Sequence, residues 1–151
     1  EHPTFNRTDP AGWAHDVNGN LNGAYYCAHA VLPGMKERGH GNIVTIGSVN
    51  GIAALGDPAY SAAKAGLISL TRSLALEYGR FGIRANIVSP GTTYFEGGFW
   101  DRVKLNDPEG FARNVNENPM KRMARPEEIA DVVVFLSSAR ASFQQQAIVA
   151  R

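Results

Sequence analysis

This sequence has no long apolar run, no strong charge of one sign and almost no cysteine. Cys27 is the one cysteine among 151 residues, so no internal disulfide can form, as expected for a reducing, cytoplasmic compartment. The apolar runs are far shorter than the roughly 20 residues that a membrane span needs. The net charge is +1 without a basic stripe or an acidic tail, so neither nucleic acid nor a membrane surface is expected as a partner.

A metal centre and a glycine-rich phosphate loop are not expected either. None of the four histidines stands at a spacing that metal ligands use. A dinucleotide pyrophosphate is usually held by a glycine-rich turn that follows a strand and opens a helix. The stretch GHGN has neither that spacing nor that position, because it precedes a predicted strand.

A long amphipathic helix is predicted near the start of the chain. Thr8 or Asp9 can cap it, Pro10 occupies its first turn, and it should end near Gly34 or Gly39. Its apolar residues recur every three or four positions: Trp13, Val17, Leu21, Ala24, Ala28, Val31 and Leu32.

Two buried strands are predicted on either side of a second long helix. Ile43–Ile46 and Ile83–Ser89 are short, β-branched and nearly all apolar, as in strands covered on both faces. The helix between them should run from Pro58 to about Tyr78. Its apolar positions are Ala63, Leu67, Leu70, Leu74 and Leu76.

A long mixed segment, residues 92–124, follows the second strand, and a loop of this length is typical of a functional element such as a substrate lid. Substrate choice is expected to depend on residues 92–120. The segment should contain a short helix from Asp107 or Pro108. A last helix opens at Pro126, and its apolar face comprises Ile129, Val132, Val133 and Leu136. The terminal stretch AIVAR is a weak strand.

The alternation of helices and apolar strands predicts an α/β fold with a doubly wound parallel sheet and flanking helices. Two good strands are few for a sheet of this type. The chain is therefore expected to be a single incomplete domain over residues 1–151, a partial Rossmann-like fold without its N-terminal cofactor-binding half.

Tyr60 and Lys64 lie four residues apart and share one face of the second helix. A free phenol has a pKa of about 10 and moves protons poorly at pH 7. A unit charge at about 4 Å supplies roughly 4 kcal/mol, enough to lower a phenol's pKa by two to three units. The pair is thus either a proton-transfer device or two solvated surface side chains.

Ser48 favours the first interpretation, because it follows the first strand twelve residues before Tyr60. Ligands of open α/β sheets bind at the carboxyl ends of the strands. Pro90 and Gly91 close the second strand at the same predicted edge. The three features should meet on one rim of the sheet.

Several motifs together resemble the short-chain dehydrogenase/reductase family. They are NGNLNGAYYCAHAVLPGM, GNIVTIGS, YSAAK, GIRANIVSPG and RPEEIADVVVFLSS, in the order and spacing of that family, from about Trp13 to Phe143. Within that family, the sequence resembles 3-oxoacyl reductases and related alcohol dehydrogenases most.

The resemblance implies roles for four catalytic residues. Tyr60 would be the general acid/base, and Lys64 would stabilise its phenolate and bind the nicotinamide ribose. Ser48 would orient the substrate oxygen. Asn20 would hold a water that links Lys64 to solvent, with Asn18 and Asn22 as rival candidates.

The resemblance also implies a cofactor site, of which only part is expected in this chain. Pro90, Gly91 and Thr93 would lie along the nicotinamide, together with Tyr60 and Lys64. The adenosine half of the site is not expected here, so NAD and NADP both remain open. Phe95 stands where the family often has a threonine that contacts the carboxamide.

The end of the chain departs from the family pattern. Gln145 and Gln146 fall about where the family has Thr-Gly before its last strand, which makes that strand doubtful.

The expected activity is reversible hydride transfer between NAD(P)H and a small carbonyl compound or secondary alcohol. Two alternatives stay open: an inactive fragment that serves only as an assembly partner, and an isomerase or dehydratase of the same superfamily. A homodimer or homotetramer is expected, formed through the segments Leu21–Met35 and Ala62–Leu76.

Overall fold

The computed structural model describes residues 9–53 and 56–150, and within them the chain folds around a parallel three-stranded sheet. The strands are β1 (Gly41–Ile46), β2 (Ile83–Ser89) and β3 (Ile148–Ala150), in the order β1-β2-β3. The helices are α1 (Pro10–Val17), α2 (Gly23–Arg38), α3 (Asn50–Ala53), α4 (Pro58–Tyr78), α5 (Phe99–Asn106), α6 (Pro108–Glu117) and α7 (Pro126–Ser137). This confirms the predicted α/β class.

The two faces of the sheet carry separate apolar cores, because successive side chains of a strand point to opposite faces. On one face, Ile43, Ile83 and Ala85 pack with residues of α2 and α4. On the other face, Val44 and Val88 pack with residues of α7. The sheet therefore lies between two helical layers. The prediction of a buried strand is confirmed for β2, but it was wrong for β1, which lies at the edge of the sheet, is only half-buried and leaves Ile46 45% exposed.

The first predicted helix is interrupted by a π-helical turn. Asp9 caps α1 by accepting a hydrogen bond from Gly12 N–H at 2.7 Å, whereas the other candidate cap, Thr8, lies outside the described residues. Residues Asn18–Asn22 form the π-helical turn between α1 and α2. The helix ends at Gly39, whose φ of 70° is left-handed.

Three of the predicted apolar positions were wrong as core positions. Trp13 and Val31 are exposed, and 72% of Leu76 is accessible at the end of α4. These side chains lie on the faces of α1, α2 and α4 that no described element covers. The remaining helical layer is buried as predicted at Ala28, Leu32, Ala63, Leu67 and Leu74.

The last strand forms although it lacks the family's Thr-Gly. The side chain of Gln145 accepts a hydrogen bond from Ala85 N–H at 2.7 Å and donates to Ala75 O and Ile83 O at 2.9 and 3.2 Å. Gln146 adopts a positive φ of 59°, which glycine would adopt more easily. The last strand, which the sequence leaves doubtful, is therefore present and pairs with β2.

The segment after β2 contains two helices where the sequence predicts one. The predicted helix begins at Pro108, as α6. It is preceded by α5, which the sequence pattern does not predict. None of the described helices is long and apolar enough to cross a membrane.

Candidate active site

The predicted site residues cluster around the carboxyl ends of β1 and β2. Gly47 N–H donates to Val88 O at 2.7 Å, and Val49 N–H donates to Pro90 O at 3.1 Å. Strand-like pairing thus continues past the end of β1 on both sides of Ser48. The Ser48 segment and the Pro90-Gly91 turn are consequently held side by side on one rim.

The hydroxyl of Ser48 is buried and already accepts one hydrogen bond. Its Oγ accepts from Asn50 N–H at 3.2 Å. A hydroxyl has one proton to donate and two acceptor lone pairs. The Ser48 proton is therefore left for another acceptor.

Tyr60 and Lys64 lie on the first turns of α4, whose start is fixed by Asp57. The carboxylate of Asp57 accepts hydrogen bonds from Ala59 N–H and Tyr60 N–H at 2.8 and 3.2 Å. The Nζ atom of Lys64 lies 5.5 Å from the centre of the Tyr60 ring, within the range of a cation–π contact. The helix thus places a cation beside the phenol, as the spacing predicts.

Lys64 is tied to the end of β1 by its side chain. Its Nζ atom donates to Ile46 O at 2.9 Å. Since Gly47 N–H faces β2, the neighbouring Ile46 points its backbone groups to the other edge of β1. Burial lowers the pKa of the Lys64 ammonium from its ordinary value.

The helix α4 approaches the Ser48 segment closely because Gly51 has no side chain. A Cβ atom at Gly51 would lie 2.6 Å from the carbonyl carbon of Lys64. That distance is far inside van der Waals contact. Gly51 therefore permits α3 to pack against the backbone of the helix turn that carries Lys64.

Asn20 lies within the π-helical turn, and this turn packs against α4. A Cβ atom on Gly66 would lie 2.9 Å from Leu21 Cδ2, which places the turn directly beside α4. The amide of Asn20 donates to Asp16 O at 3.1 Å. Its two rivals bond to each other instead, with Asn22 Nδ2 donating to Asn18 Oδ1 at 2.7 Å.

A cleft of about 790 Å³ opens beside the rim and is called here the Pro90 cleft. Pro90 and Gly91 line it, and so does Val49, the residue after Ser48. Thr93 does not line it, and its hydroxyl donates back to Gly91 O at 3.3 Å. Ser48, Tyr60 and Lys64 lie outside its lining as well.

The predicted residues are therefore neighbours rather than one bonded network. Within the described part of the chain, no hydrogen bond joins Ser48 to Tyr60 or Asn20 to Lys64. Phe95, at the position of the family's threonine, packs its ring over Gly98. No group of three possible metal ligands occurs in residues 9–53 or 56–150.

Sequence reasoning missed an ion pair at the edge of the Pro90 cleft. Arg122 Nη1 and Nη2 donate to Glu128 Oε2 and Oε1 at 2.7 and 2.6 Å. Glu128 Oε2 also accepts from Arg125 N–H at 2.9 Å. The spacing of Arg125 and Glu128 is that of a capping box. The sequence at the start of α7 therefore indicates the hydrogen bond from Arg125 N–H to Glu128.

Comparison with known proteins identifies relatives over almost the whole chain. The family model described as enoyl-(acyl carrier protein) reductase matches residues 1–150. An uncharacterized oxidoreductase of Schizosaccharomyces pombe is 43% identical over 140 residues, covering 92% of this chain and 54% of the relative. The inactive 2-(S)-hydroxypropyl-CoM dehydrogenase 2 of Xanthobacter autotrophicus is 39% identical over 140 residues, covering 90% and 60%. Relatives named 3-oxoacyl-[acyl-carrier-protein] reductase and acetoacetyl-CoA reductase are 39% and 40% identical.

Solved structures agree with these matches. The crystal structure of an oxidoreductase of the short chain dehydrogenase/reductase family from Burkholderia thailandensis superimposes with a TM-score of 0.91 at 43% identity. The match covers 99% of this chain and 58% of that one. The chain thus spans about half the length of the curated relatives it matches.

Proposed function

Because the chain belongs to the short-chain dehydrogenase/reductase family, we propose that it carries the proton-transfer site of an NAD(P)-dependent oxidoreductase. The observation that supports this most is the pairing of Tyr60 and Lys64 on one helix face, with Lys64 tied to the strand end next to Ser48. The reaction would interconvert a carbonyl compound and a secondary alcohol.

Tyr60 gives a proton to the substrate oxygen during reduction and takes it back during oxidation. The ammonium of Lys64, 5.5 Å from the ring centre, stabilises the phenolate that results. The low polarity around Lys64, which lowers its own pKa, also strengthens its attraction for a nearby anion. A bound NAD(P)H would supply the hydride.

Ser48 orients the substrate oxygen beside Tyr60. Because Asn50 N–H occupies one lone pair of its Oγ, the Ser48 proton can be donated to a carbonyl oxygen. Two donors on one oxygen would polarise the carbonyl group before hydride transfer.

Asn20 is the candidate for returning protons to Lys64 from solvent. The π-helical turn shifts the backbone of this helix beside α4, and π turns are frequent at functional sites. A water bound at this turn could exchange protons with the Lys64 ammonium. Asn18 and Asn22 remain the rival candidates; one hydrogen bond joins their side chains.

The Pro90 cleft suits the nicotinamide end of a cofactor. Its wall combines apolar Val49, Val88 and Pro90 with the backbone of Gly91, and its volume of about 790 Å³ accommodates a small-molecule ring. Thr93 fixes the Gly91 turn through its hydroxyl. The choice between NAD and NADP would depend on the adenosine half of the cofactor site. None of the proposed site residues would contact that half.

The same geometry fits a second candidate function, that of a protein without turnover. One relative at 39% identity is named an inactive dehydrogenase, which supports this candidate. In that case the chain would serve as an assembly partner only. An isomerase or dehydratase of the same superfamily would keep the Tyr60 chemistry without net use of NAD(P)H.

The decisive experiment is to titrate the chain with NADH and NADPH and to follow absorbance with a 3-oxoacyl thioester or a simple ketone. The Tyr60→Phe variant should lower kcat by about 10²- to 10⁴-fold and leave cofactor affinity nearly unchanged. Tyr78→Phe, the same change at the far end of α4, should have no such effect. Full activity in Tyr60→Phe would remove Tyr60 from the mechanism. Absence of any turnover in the unaltered chain would favour the inactive candidate.

Self-association and a cytoplasmic location complete the proposal. Tyr25, Tyr26 and Val31 of α2 and Leu76 of α4 are exposed, and their segments are those expected to pack against a second copy. The free thiol of Cys27 is also exposed on α2, which suits a reducing compartment.

A further inference from the structure

Residues 94–123, called here the lid, leave and rejoin the protein at a single neck. Tyr94 N–H donates to Ala124 O, and Ala124 N–H donates to Thr92 O, both at 2.9 Å. The lid contains α5 and α6, and Asn118 and Met120 from it line the Pro90 cleft. Its orientation over the cleft therefore depends on the groups that fix this neck.

Glu128, at the start of α7, connects the returning arm of the lid to the body. Both of its carboxylate oxygens accept hydrogen bonds from the Arg122 guanidinium, at 2.6 and 2.7 Å. The same carboxylate caps α7 by accepting from Arg125 N–H at 2.9 Å. Arg122 also donates to Met123 O at 3.1 Å, next to the neck.

No other ion pair of the described residues joins the lid to the body. Arg113 and Asp107 pair within the lid, 3.9 Å apart, and Arg125 approaches Glu128 within the body at 3.8 Å. A two-point guanidinium–carboxylate contact fixes direction as well as distance. The Arg122–Glu128 pair thus has the geometry of a latch.

We propose that Arg122 and Glu128 are positioning residues whose ion pair latches the lid over the Pro90 cleft and so sets the affinity of that cleft for cofactor and substrate. The latch itself depends only on the contacts above. Its effect on affinity rests on the proposed function. Both side chains border the cleft, so a change in the latch acts on the cleft wall directly.

The chain offers its own reporter for the lid. It has two tryptophans, and Trp100 lies on α5 of the lid while Trp13 lies on α1. In a Trp13→Phe background, acrylamide quenching of Trp100 reports how closely the lid is held. Arg122→Gln should raise the quenching constant roughly twofold. Arg122→Lys keeps the charge but not the two-point hydrogen bonding of the guanidinium, so its quenching constant should lie between those of the unaltered chain and Arg122→Gln.

A double-mutant cycle separates the latch from unrelated effects. Arg122→Gln, Glu128→Gln and the double variant should give nearly the same quenching, because either change alone opens the latch. Glu127→Gln makes the same charge change one residue earlier and should leave the quenching constant unaltered. Additive effects in the double variant, or equal effects of Glu127→Gln, would overturn the latch.

Kinetics test the consequence for the cleft. If the unaltered chain turns over, the Glu128→Gln variant should raise KM for NADH or for the carbonyl substrate roughly fivefold, with kcat and its pH profile unchanged. An equal loss in kcat would show that the pair touches the reacting groups and would refute a positioning role. If the unaltered chain shows no turnover, the proposed function fails while the Trp100 measurements still decide on the latch.

Discussion

At the scale of single residues, Gln145 shows how one side chain can replace part of a strand. Its amide oxygen accepts from the buried Ala85 N–H, where a neighbouring strand would otherwise supply a carbonyl group. Its amide nitrogen donates to Ile83 O in β2 and to Ala75 O in α4. Together these bonds join the last segment to both the sheet and the long helix.

The Gln145→Ala variant should therefore lose stability. Removing the amide leaves the Ala85 N–H buried without an acceptor, which costs about 1–3 kcal/mol, and the two further bonds add to the loss. Urea unfolding should show a lower midpoint with an unchanged slope. Gln144→Ala is the matched control, since the hydrogen bonds of Gln144 use its backbone: its N–H donates to Ala141 O and its carbonyl accepts from Asn86 Nδ2. Equal stability of the two variants would contradict the role of Gln145.

The contacts of the site residues differ in how well the sequence alone predicts them. Tyr60 and Lys64 are within one helix turn, so their neighbourhood follows from local geometry. The bond from Lys64 to Ile46 O spans 18 residues, and that from Ala85 to Gln145 spans 60. Partners so distant depend on how the strands are ordered, which a single sequence does not reveal.

At the scale of elements, the helices with proline or aspartate at their starts were predicted well. Asp9 caps α1, Asp57 caps α4 and Asp107 caps α6, each by accepting backbone N–H groups. The missed helix α5 has no such cap. Its Asp101 instead accepts hydrogen bonds from Tyr94 O–H and Gly97 N–H, at 2.7 and 2.9 Å, from the preceding turn.

The π-helical turn was missed for a different reason. Asn18, Gly19, Asn20 and Asn22 are weak helix formers, but the same residues could equally weaken an α-helix without changing its hydrogen-bond pattern. Packing of Leu21 against Gly66 of α4 is a tertiary contact that single-sequence periodicity does not contain.

The junction of the lid with α7 should make stability depend on pH in acid. The Arg122 guanidinium and the Arg125 N–H hold the pKa of Glu128 at about 2, below the ordinary 4.5. The unfolded chain thus binds a proton at Glu128 at higher pH than the folded chain does. The stabilisation is complete above about pH 4.5 and is lost as the pH falls toward 2.

Unfolding at a series of pH values between 2 and 6 measures this dependence. Glu128→Gln should flatten the loss of stability in acid, whereas Glu127→Gln should leave the slope as it is. Part of the loss of stability in acid should remain in Glu128→Gln, because hydrogen bonds from Tyr94 and Gly97 also lower the pKa of Asp101. An unchanged slope in Glu128→Gln would show that this carboxylate keeps its ordinary pKa.

At the scale of the whole molecule, the layered arrangement followed from the alternation of helices with apolar strands. The surfaces left uncovered did not follow, because periodicity marks an apolar stripe without saying what packs on it. Leu76 comes nine residues after Leu67, so it lies on the opposite face of α4 from the buried Leu67 and Leu74 and is 72% exposed. It lies on the side of α4 away from the sheet.

This exposed side of α4 is suited to packing against a second copy. Ala62, Ala65 and Ser69 precede Leu76 on it at helical spacing and are exposed, so another helix could approach closely. On α2, Tyr25 and Tyr26 add exposed aromatic surface. Small residues that permit close approach, next to aromatic and leucine side chains, are typical of helical interfaces in oligomers.

Leu76→Arg should therefore weaken self-association, because it places a charge where a second copy would bury an apolar side chain. Leu105→Arg is the matched control: Leu105 is 74% exposed, but it lies on α5 of the lid. Size-exclusion chromatography with light scattering should give an oligomer for the unaltered chain and for Leu105→Arg, and a smaller species for Leu76→Arg. A monomeric mass for the unaltered chain, or the same mass for all three proteins, would rule out this face of α4 as the interface. The comparison remains valid without turnover, because it depends on the helical surface and not on the chemistry at Tyr60.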